Sequence, residues 1–351
     1  MILRRVLPRA AQQHQYFCEL YTFLVTMATE RTSAVALTHG RRFDYPWRGA
    51  VGNGVFYGVC LLAGISVLVT LLAVIAQLVV ESRPSIRAFG IGFLTSSTWD
   101  PVAEEFGALP FIYGTLVSSV LSLLLAVPLS IGAAIFLVEI SRGWLRTILS
   151  FLVEALAAVP SVVYGVWGIF VLVPWLHEYI ATPLAERFGE MIPIFAPPAI
   201  GPSMLSAAVI LAIMVTPIIT SVARDVLLAI PRVQREAALA LGSTRWEAIR
   251  TVVGTARWGI FGAIILGLGR ALGETMAVTM VIGNDPSIHA SILQPAYTLA
   301  SVIANEFTEA TTPLYVSALI EIGLVLLLTT LVVNIVARLL VWSIARRYSQ
   351  R

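Results

Sequence analysis

The chain has 351 residues, 58% of them hydrophobic and only 12% charged, with a mean hydropathy of +0.87. A soluble domain carries about 25% charge, so this chain cannot cover a water-facing surface and a soluble enzyme is excluded. All 23 basic residues are arginine, which also excludes a GxxxxGK[ST] phosphate loop and a Schiff-base lysine.

Residues 1–50 carry Arg4, Arg5, Arg9, Arg31, Arg41, Arg42 and Arg48 around an apolar run from Tyr16 to Thr29. Ala34-Val35-Ala36 resembles a signal cleavage site, but Glu19 interrupts the run and Arg41 and Arg42 follow at once. The expectation is a cytoplasmic tail over 1–50 with an interfacial helix near 16–29. A spanning helix needs about 20 mostly apolar residues. Six stretches qualify and predict an all-α polytopic membrane bundle, with helices near 54–80, 112–138, 148–174, 203–223, 257–283 and 314–338. The first transmembrane unit covers 51–84. On this placement Glu154 lies two turns inside the third span, and Arg338 opens the C-terminal tail.

Arginine orients the bundle. The N-terminal segment, the 139–147 loop, the 224–257 loop and the C-terminal tail hold 19 arginines; the alternate loops hold Arg83, Arg87 and Arg187. Both termini and the 224–257 loop are therefore expected in the cytoplasm. The outer loops carry an excess of acid, which would repel a free dianion. Delivery by a docked carrier protein fits this. So does simple avoidance of positive charge outside.

The 224–257 loop reads as a helix–turn–helix. Pro231 suits a first helical turn, Arg232 to Leu241 is rich in helix formers, and Gly242 ends that helix as a C-cap. Thr244 with Glu247 forms a capping box that opens the next helix. The apolar face of Ala237, Ala238, Leu239 and Leu241 is small enough to enter a groove. The alternative is a helix lying on lipid headgroups.

Ionisable groups inside spans point to function. Arg270 and Glu274, four apart on the fifth helix, are expected to share one face, with Gly262, Gly267, Gly269 and Gly273 permitting close helix approach. The pair is either a structural lock or an anion site near the midplane. A guanidinium fork suits an oxyanion, and a neighbouring carboxylate accepts a hydrogen bond from hydrogen phosphate but repels sulfate. Glu154 is expected to snorkel to the cytoplasmic side, and Glu321 faces the bundle with no partner readable from the sequence. Pro128, Pro160 and Pro217 interrupt helices two, three and four, as hinges or as packed kinks. Cys18 and Cys60 suggest no disulfide. His14, His39, His177 and His289 show no metal-ligand spacing, so neither metal nor cofactor is expected.

Glu236-Ala237-Ala238 followed by Gly242 resembles the EAA loop of ABC-importer permeases, in which a short helix docks into a cleft of the cytoplasmic ATPase. Gly254-Thr255 stands where that family usually has Leu-Pro, a departure that bears on the entry into the fifth helix and not on docking. Residues 93–101, 106–115, 159–165 and 267–278 resemble the phosphate-specific ABC permeases, the PstC-type subunit more than its PstA-type partner. The resemblance covers about 85–345. It implies a MetI-like permease domain over 111–342 with the EAA loop at 229–256. It also implies phosphate import across a bacterial inner membrane, with a second permease, an ATPase dimer and a periplasmic phosphate-binding protein as partners besides membrane lipid; nothing suggests nucleic acid. Sulfate, molybdate and phosphonate permeases share the docking loop, so the loop does not name the cargo. A proton- or sodium-driven carrier would use Glu154, Glu274 and Glu321 as relays, but no inverted repeat is visible. A membrane enzyme would need a nucleophile–base set, and on this placement no histidine lies in a span.

Overall fold

The computed structural model describes residues 47–349; the tail, its interfacial segment and Cys18 lie outside the described residues. The contacts divide the chain into two compact units, meeting between Thr70 and Leu71. Helix α1 (Trp47–Glu81) runs through that boundary. Its part in the first unit carries no charge between Val51 and Thr70 and is apolar on every side, as a lipid-facing helix should be.

In the second unit α1 ends at Glu81 and α2 (Arg83–Phe89) follows. A short hairpin then pairs β1 (Trp99–Asp100) with β2 (Glu105–Phe106). Asp100 Oδ1 accepts the Val102 and Ala103 N–H groups at 2.8 and 3.1 Å and so closes its turn. Next come α3 (Leu109–Ile135), prolonged by a π turn over Phe136–Ile140, and the short amphipathic α4 (Gly143–Ala157). Helix α5 crosses over Ser161–Phe188 with π turns at Gly168–Leu172 and His177–Ala181. Helices α6 (Met204–Ala229), α7 (Arg232–Ala240), α8 (Arg245–Leu272), α9 (Met276–Val281), α10 (Leu299–Glu306) and α11 (Pro313–Ser349) complete the order. Among the described residues six helices are long and apolar enough to cross a membrane, which agrees with the expected all-α bundle.

Two spans differ from the sequence reading. The third lies at Ser161–Phe188 rather than near 148–174. The cause is Pro160: Val159, before a proline, is pushed out of the helical region, so α4 ends at Ala157 and Pro160 becomes the N-cap residue of α5. Glu154 therefore lies on α4, outside any span, and Pro160 stands at the boundary between two helices rather than inside one. Pro128 and Pro217 do sit inside continuous helices. His177 falls within the third span, against expectation, and its Nδ1 makes no hydrogen bond among the described residues. The fifth span is Arg245–Leu272 rather than 257–283: the helix stops at Gly273.

Lipid gives helices no hydrophobic reason to associate, so small residues and hydrogen bonds must hold them. Helix α3 meets this with a row at every fourth position, Gly114, Ser118, Ser122, Ala126, Ser130 and Ala134, all buried. Gly114 at the head of the row packs against the Tyr297 backbone, and Ala126 and Ala134 further along pack on α6 with Ala212, Val215 and Ala223. Ser130 Oγ donates across the seam to the Thr216 carbonyl (3.2 Å), and Thr220 Oγ1 donates back to Ser130 O (3.4 Å). Such bonds average roughly 0.6 kcal/mol each in membranes. Both lie beside Pro217, where the helical ladder is interrupted.

On the face bearing the hairpin, an aromatic cluster ties β1, β2, α3 and α11 together. Trp99 packs edge-on against Phe106 and Phe111, and Phe106 stacks on Tyr315. Glu306 Oε2 accepts from Trp99 Nε1 (2.8 Å) and from the Tyr315 hydroxyl (2.6 Å). The segment after α9 seals the start of α6. The Met204 N–H donates to Gln294 O (3.0 Å), Leu205 N–H to Ile292 O (2.8 Å), and Ser203 Oγ caps Ser206 N–H (3.3 Å). These account for N–H groups that every helix start leaves unpaired.

Candidate functional site

Helix α6 ends at Ala229, Ile230 turns extended, and Pro231 begins α7. The loop that follows is built from local bonds. Leu241 N–H donates to Ala237 O (3.1 Å), Gly242 N–H to Leu239 O (3.0 Å) and Ser243 N–H to Ala238 O (3.2 Å). Gly242 has φ +86°, a conformation that L side chains rarely adopt. Thr244 Oγ1 accepts the Glu247 N–H while the Glu247 carboxylate accepts the Thr244 N–H (2.8 Å), the predicted capping box. Glu236, Ala237 and Gly242 are exposed and Ala238 is half-buried; no atom lies within 4 Å of where a Gly242 side chain would start. The loop is thus rigid and uncovered.

Ion pairs anchor this loop from behind. Arg235 pairs with Glu139, whose side chain is only 5% exposed at the end of α3. Arg224 bridges Glu154 on α4 (2.9 Å) and its own neighbour Asp225 (2.9 Å). Glu154, expected to snorkel from inside a span, instead stands more than half exposed on α4 with Arg224 as its partner. A groove of about 630 Å³ runs beneath α7, edged by Glu139, Arg142, Arg235 and Arg245.

The second candidate site is the end of α8. Arg270 and Glu274 meet at 3.5 Å, as expected, but not on one helical face: Glu274 lies beyond the helix, after Gly273. The Arg270 side chain is 48% exposed and that of Glu274 only 5%. The glycines also divide differently. A side chain at Gly267 would strike Val215 and Ile219 of α6, whereas Gly262 and Gly269 face open space. They floor a cleft of about 510 Å³ that Arg270 shares with Asn334 and Arg338 of α11. Arg338, assigned from sequence to the tail, stands inside the last span, Pro313–Val341. The signal for it was present: Asn334 and Arg338 are the polar residues one helical turn apart in an otherwise apolar stretch.

Glu321 is 6% exposed on α11. Ser85 faces it, but neither Glu321 Oε2 nor Ser85 Oγ makes a hydrogen bond of ordinary geometry. Glu154, Glu274 and Glu321 are not brought together as a relay by any ion pair or hydrogen bond among the described residues. No three His, Cys, Asp or Glu side chains among the described residues gather as metal ligands.

Against known proteins, residues 126–350 match the family model "Binding-protein-dependent transport system inner membrane component". The chain belongs to this family. It is therefore a multi-pass inner-membrane component of a transport system, and the exposed loop and the charged cleft sit in a permease. Among curated relatives, the phosphate transport system permease protein PstC of Mesorhizobium japonicum is 45% identical over 86% of this chain and 93% of its own length. PstC of Pasteurella multocida is 45% identical over 82% and 91%, respectively. PstC 1 of Mycobacterium tuberculosis is 38% identical over 81% and 92%.

Proposed function

We infer that this chain is the permease subunit of an ABC importer that moves inorganic phosphate across the inner membrane. The support is similarity to phosphate permeases along more than four fifths of the chain. The chain pairs with a second permease, takes phosphate from a periplasmic binding protein, and is driven by an ATPase dimer docked on α7. It does not hydrolyse ATP itself. Both termini and α7 face the cytoplasm, as the arginine distribution favours, with 1–50 as a tail and 111–342 as the permease domain.

The observation that carries the coupling role is the exposed α7 turn: Glu236, Ala237, Ala238 and Gly242 form a small rigid knob fixed by its own hydrogen bonds. A knob fits a cleft without ordering cost. Arg270 receives the anion, and Glu274 holds the guanidinium between visits. The half-exposed guanidinium can form a fork with an oxyanion, while the buried carboxylate favours an anion that still carries a proton.

The deciding experiment is reconstitution of the four-component complex with phosphate, sulfate and molybdate offered on matching binding proteins. ATP hydrolysis and uptake should respond to phosphate. A response to sulfate alone would replace the cargo, and uptake without ATP would remove the importer reading altogether.

A further inference from the structure

We propose that Arg338 and Asn334 form a second phosphate-oxyanion site in the cleft that Arg270 lines, on its cytoplasmic side. The inference rests on the reading of Arg270 as the first anion-holding group and extends it by one step.

Three observations converge. The cleft of about 510 Å³ brings Arg270, Asn334 and Arg338 to one space, and no carboxylate lines it. Arg338 forms no ion pair among the described residues, unlike Arg270, which has Glu274 beside it. The floor is bare backbone at Gly262 and Gly269, with open space where side chains would stand. A guanidinium inside a spanning helix with no acid to neutralise it is costly unless an anion or water meets it. Asn334 spends one N–H on Thr330 O (2.8 Å) and keeps a second donor beside the guanidinium. A forked cation plus an amide donor is a phosphate-recognising set.

The direction of the helices gives the order. Helix α8 runs outward from α7, so Arg270 lies near its far end; α11 runs inward from Pro313, so Arg338 lies near the inner end of its span. An anion leaving Arg270 for the cytoplasm moves down this cleft past Arg338. Because Glu274 competes for Arg270 and no acid among the described residues pairs with Arg338, the second site draws the anion off the first. Arg338 also borders a neighbouring cavity beside Leu71, Ile75 and Leu331, so the phosphate it holds comes either from the transported ion or from the headgroup of a phospholipid with net negative charge.

The test uses the intact complex in proteoliposomes, with Arg338→Gln, Arg338→Lys and the double variant Arg270→Gln/Glu274→Gln. Vesicles are made of phosphatidylcholine alone or with phosphatidylglycerol. Co-purification of the ATPase reports assembly for each variant. Arg338→Gln should assemble and take up phosphate about tenfold more slowly, the loss of one charge-assisted contact, and Arg338→Lys should recover part of the rate. An equal loss in both lipids identifies transported phosphate as the ligand. Wild-type uptake that requires phosphatidylglycerol, with that requirement abolished in Arg338→Gln, identifies the headgroup. Wild-type uptake by Arg338→Gln in both lipids overturns the proposal, as does a variant that will not assemble while Arg338→Lys does not restore it. Failure of the Arg270 reading looks different: the Arg270→Gln/Glu274→Gln variant would transport normally while Arg338→Gln stayed slow.

Discussion

Helix α8 starts and ends at a glycine-centred turn, and the two turns are held by different means. At its start, every bond that shapes the Gly242 turn comes from residues within five positions, closed by the Thr244–Glu247 box. At its end, the local bonds around the Gly273 break are few and long: the Gly273 and Glu274 N–H groups share Ala271 O, the second at 3.5 Å, and Thr275 Oγ1 donates to Gly273 O at 3.3 Å. That region is fixed instead by distant chain. Helix α9 packs so tightly on α5 that a side chain at Gly165 would lie 3.1 Å from Ala277 Cα, and the strand-like bridge of Gly283 with Ala296 closes the segment behind it. A locally fixed turn can stand in water and offer itself to a partner. A break inside a membrane exists only where surrounding protein or water satisfies its backbone.

That contrast sets the expected size of substitutions. The largest effect belongs to the break. Arg270→Ala leaves Glu274 buried without its partner, and an uncompensated buried charge costs about 3 kcal/mol at the lower end, fitting because Arg270 itself is half exposed. Detergent-solubilised Arg270→Ala should melt well below wild type, whereas Arg270→Gln/Glu274→Gln should melt near it and fail to move phosphate. Normal phosphate uptake by that assembled double variant would leave the pair as a structural lock only.

At the other turn Gly242→Val forces a β-branched residue into positive φ, costing about 1–3 kcal/mol of local strain. Nothing packs there, so the strain stays local: the protein should insert and melt only modestly below wild type while ATP-driven uptake is lost. A large fall in melting temperature with uptake retained would reverse the contrast between the two turns. A smaller effect is expected from Thr244→Ala, which deletes the cap for about 1 kcal/mol; ATPase co-purification should weaken without disappearing, and unchanged binding would show that the cap is redundant.

The smallest effect is one of pH. Asp285 lies outside the spans; burial pushes its carboxyl up, but hydrogen bonds from Ser287 and the His289 ring (3.4 Å) outweigh this and hold it below its ordinary value. A depressed carboxylate contributes stability that is present above the ordinary value near 3.9 and lost as pH falls through the lowered one. Melting should therefore decline slightly below about pH 4, and Asp285→Asn should flatten that decline. An identical acid profile in the variant would remove Asp285 as its source.

The same contrast explains what the sequence made legible. The turn at Gly242, the capping box and the number of spans follow from local composition and hydrogen-bonding chemistry, and the structure reproduces them. The end of α8 did not follow, because Gly269, Gly273 and the apolar run beyond them read as one periodic helix; what stops it is packing from α5 and α6. The third span slipped by about four helical turns for a simpler reason. Ile148 to Leu176 is continuous in hydropathy, and the pre-proline restriction at Val159 was outweighed by it. Arg338 was misread because positive charge near a chain end looks like a tail, and only the course of α11 brings it beside Arg270.

One further property of α8 follows from its length. The usual Leu-Pro being replaced by Gly254-Thr255, nothing interrupts the helix from Arg245 to Leu272. At 1.5 Å per residue it is a rod of roughly 42 Å, with the exposed Gly242 turn at one tip and Arg270 at the other. Levers magnify. A tilt of about 5° at the knob swings the far tip by roughly 3.7 Å, a displacement comparable with the 3.5 Å separation of Arg270 from Glu274. The guanidinium rides on the rod and the carboxylate lies just past its end, across the break, so in the transport role proposed above a small mechanical stroke at the membrane surface would be enough to exchange one partner of Arg270 for another.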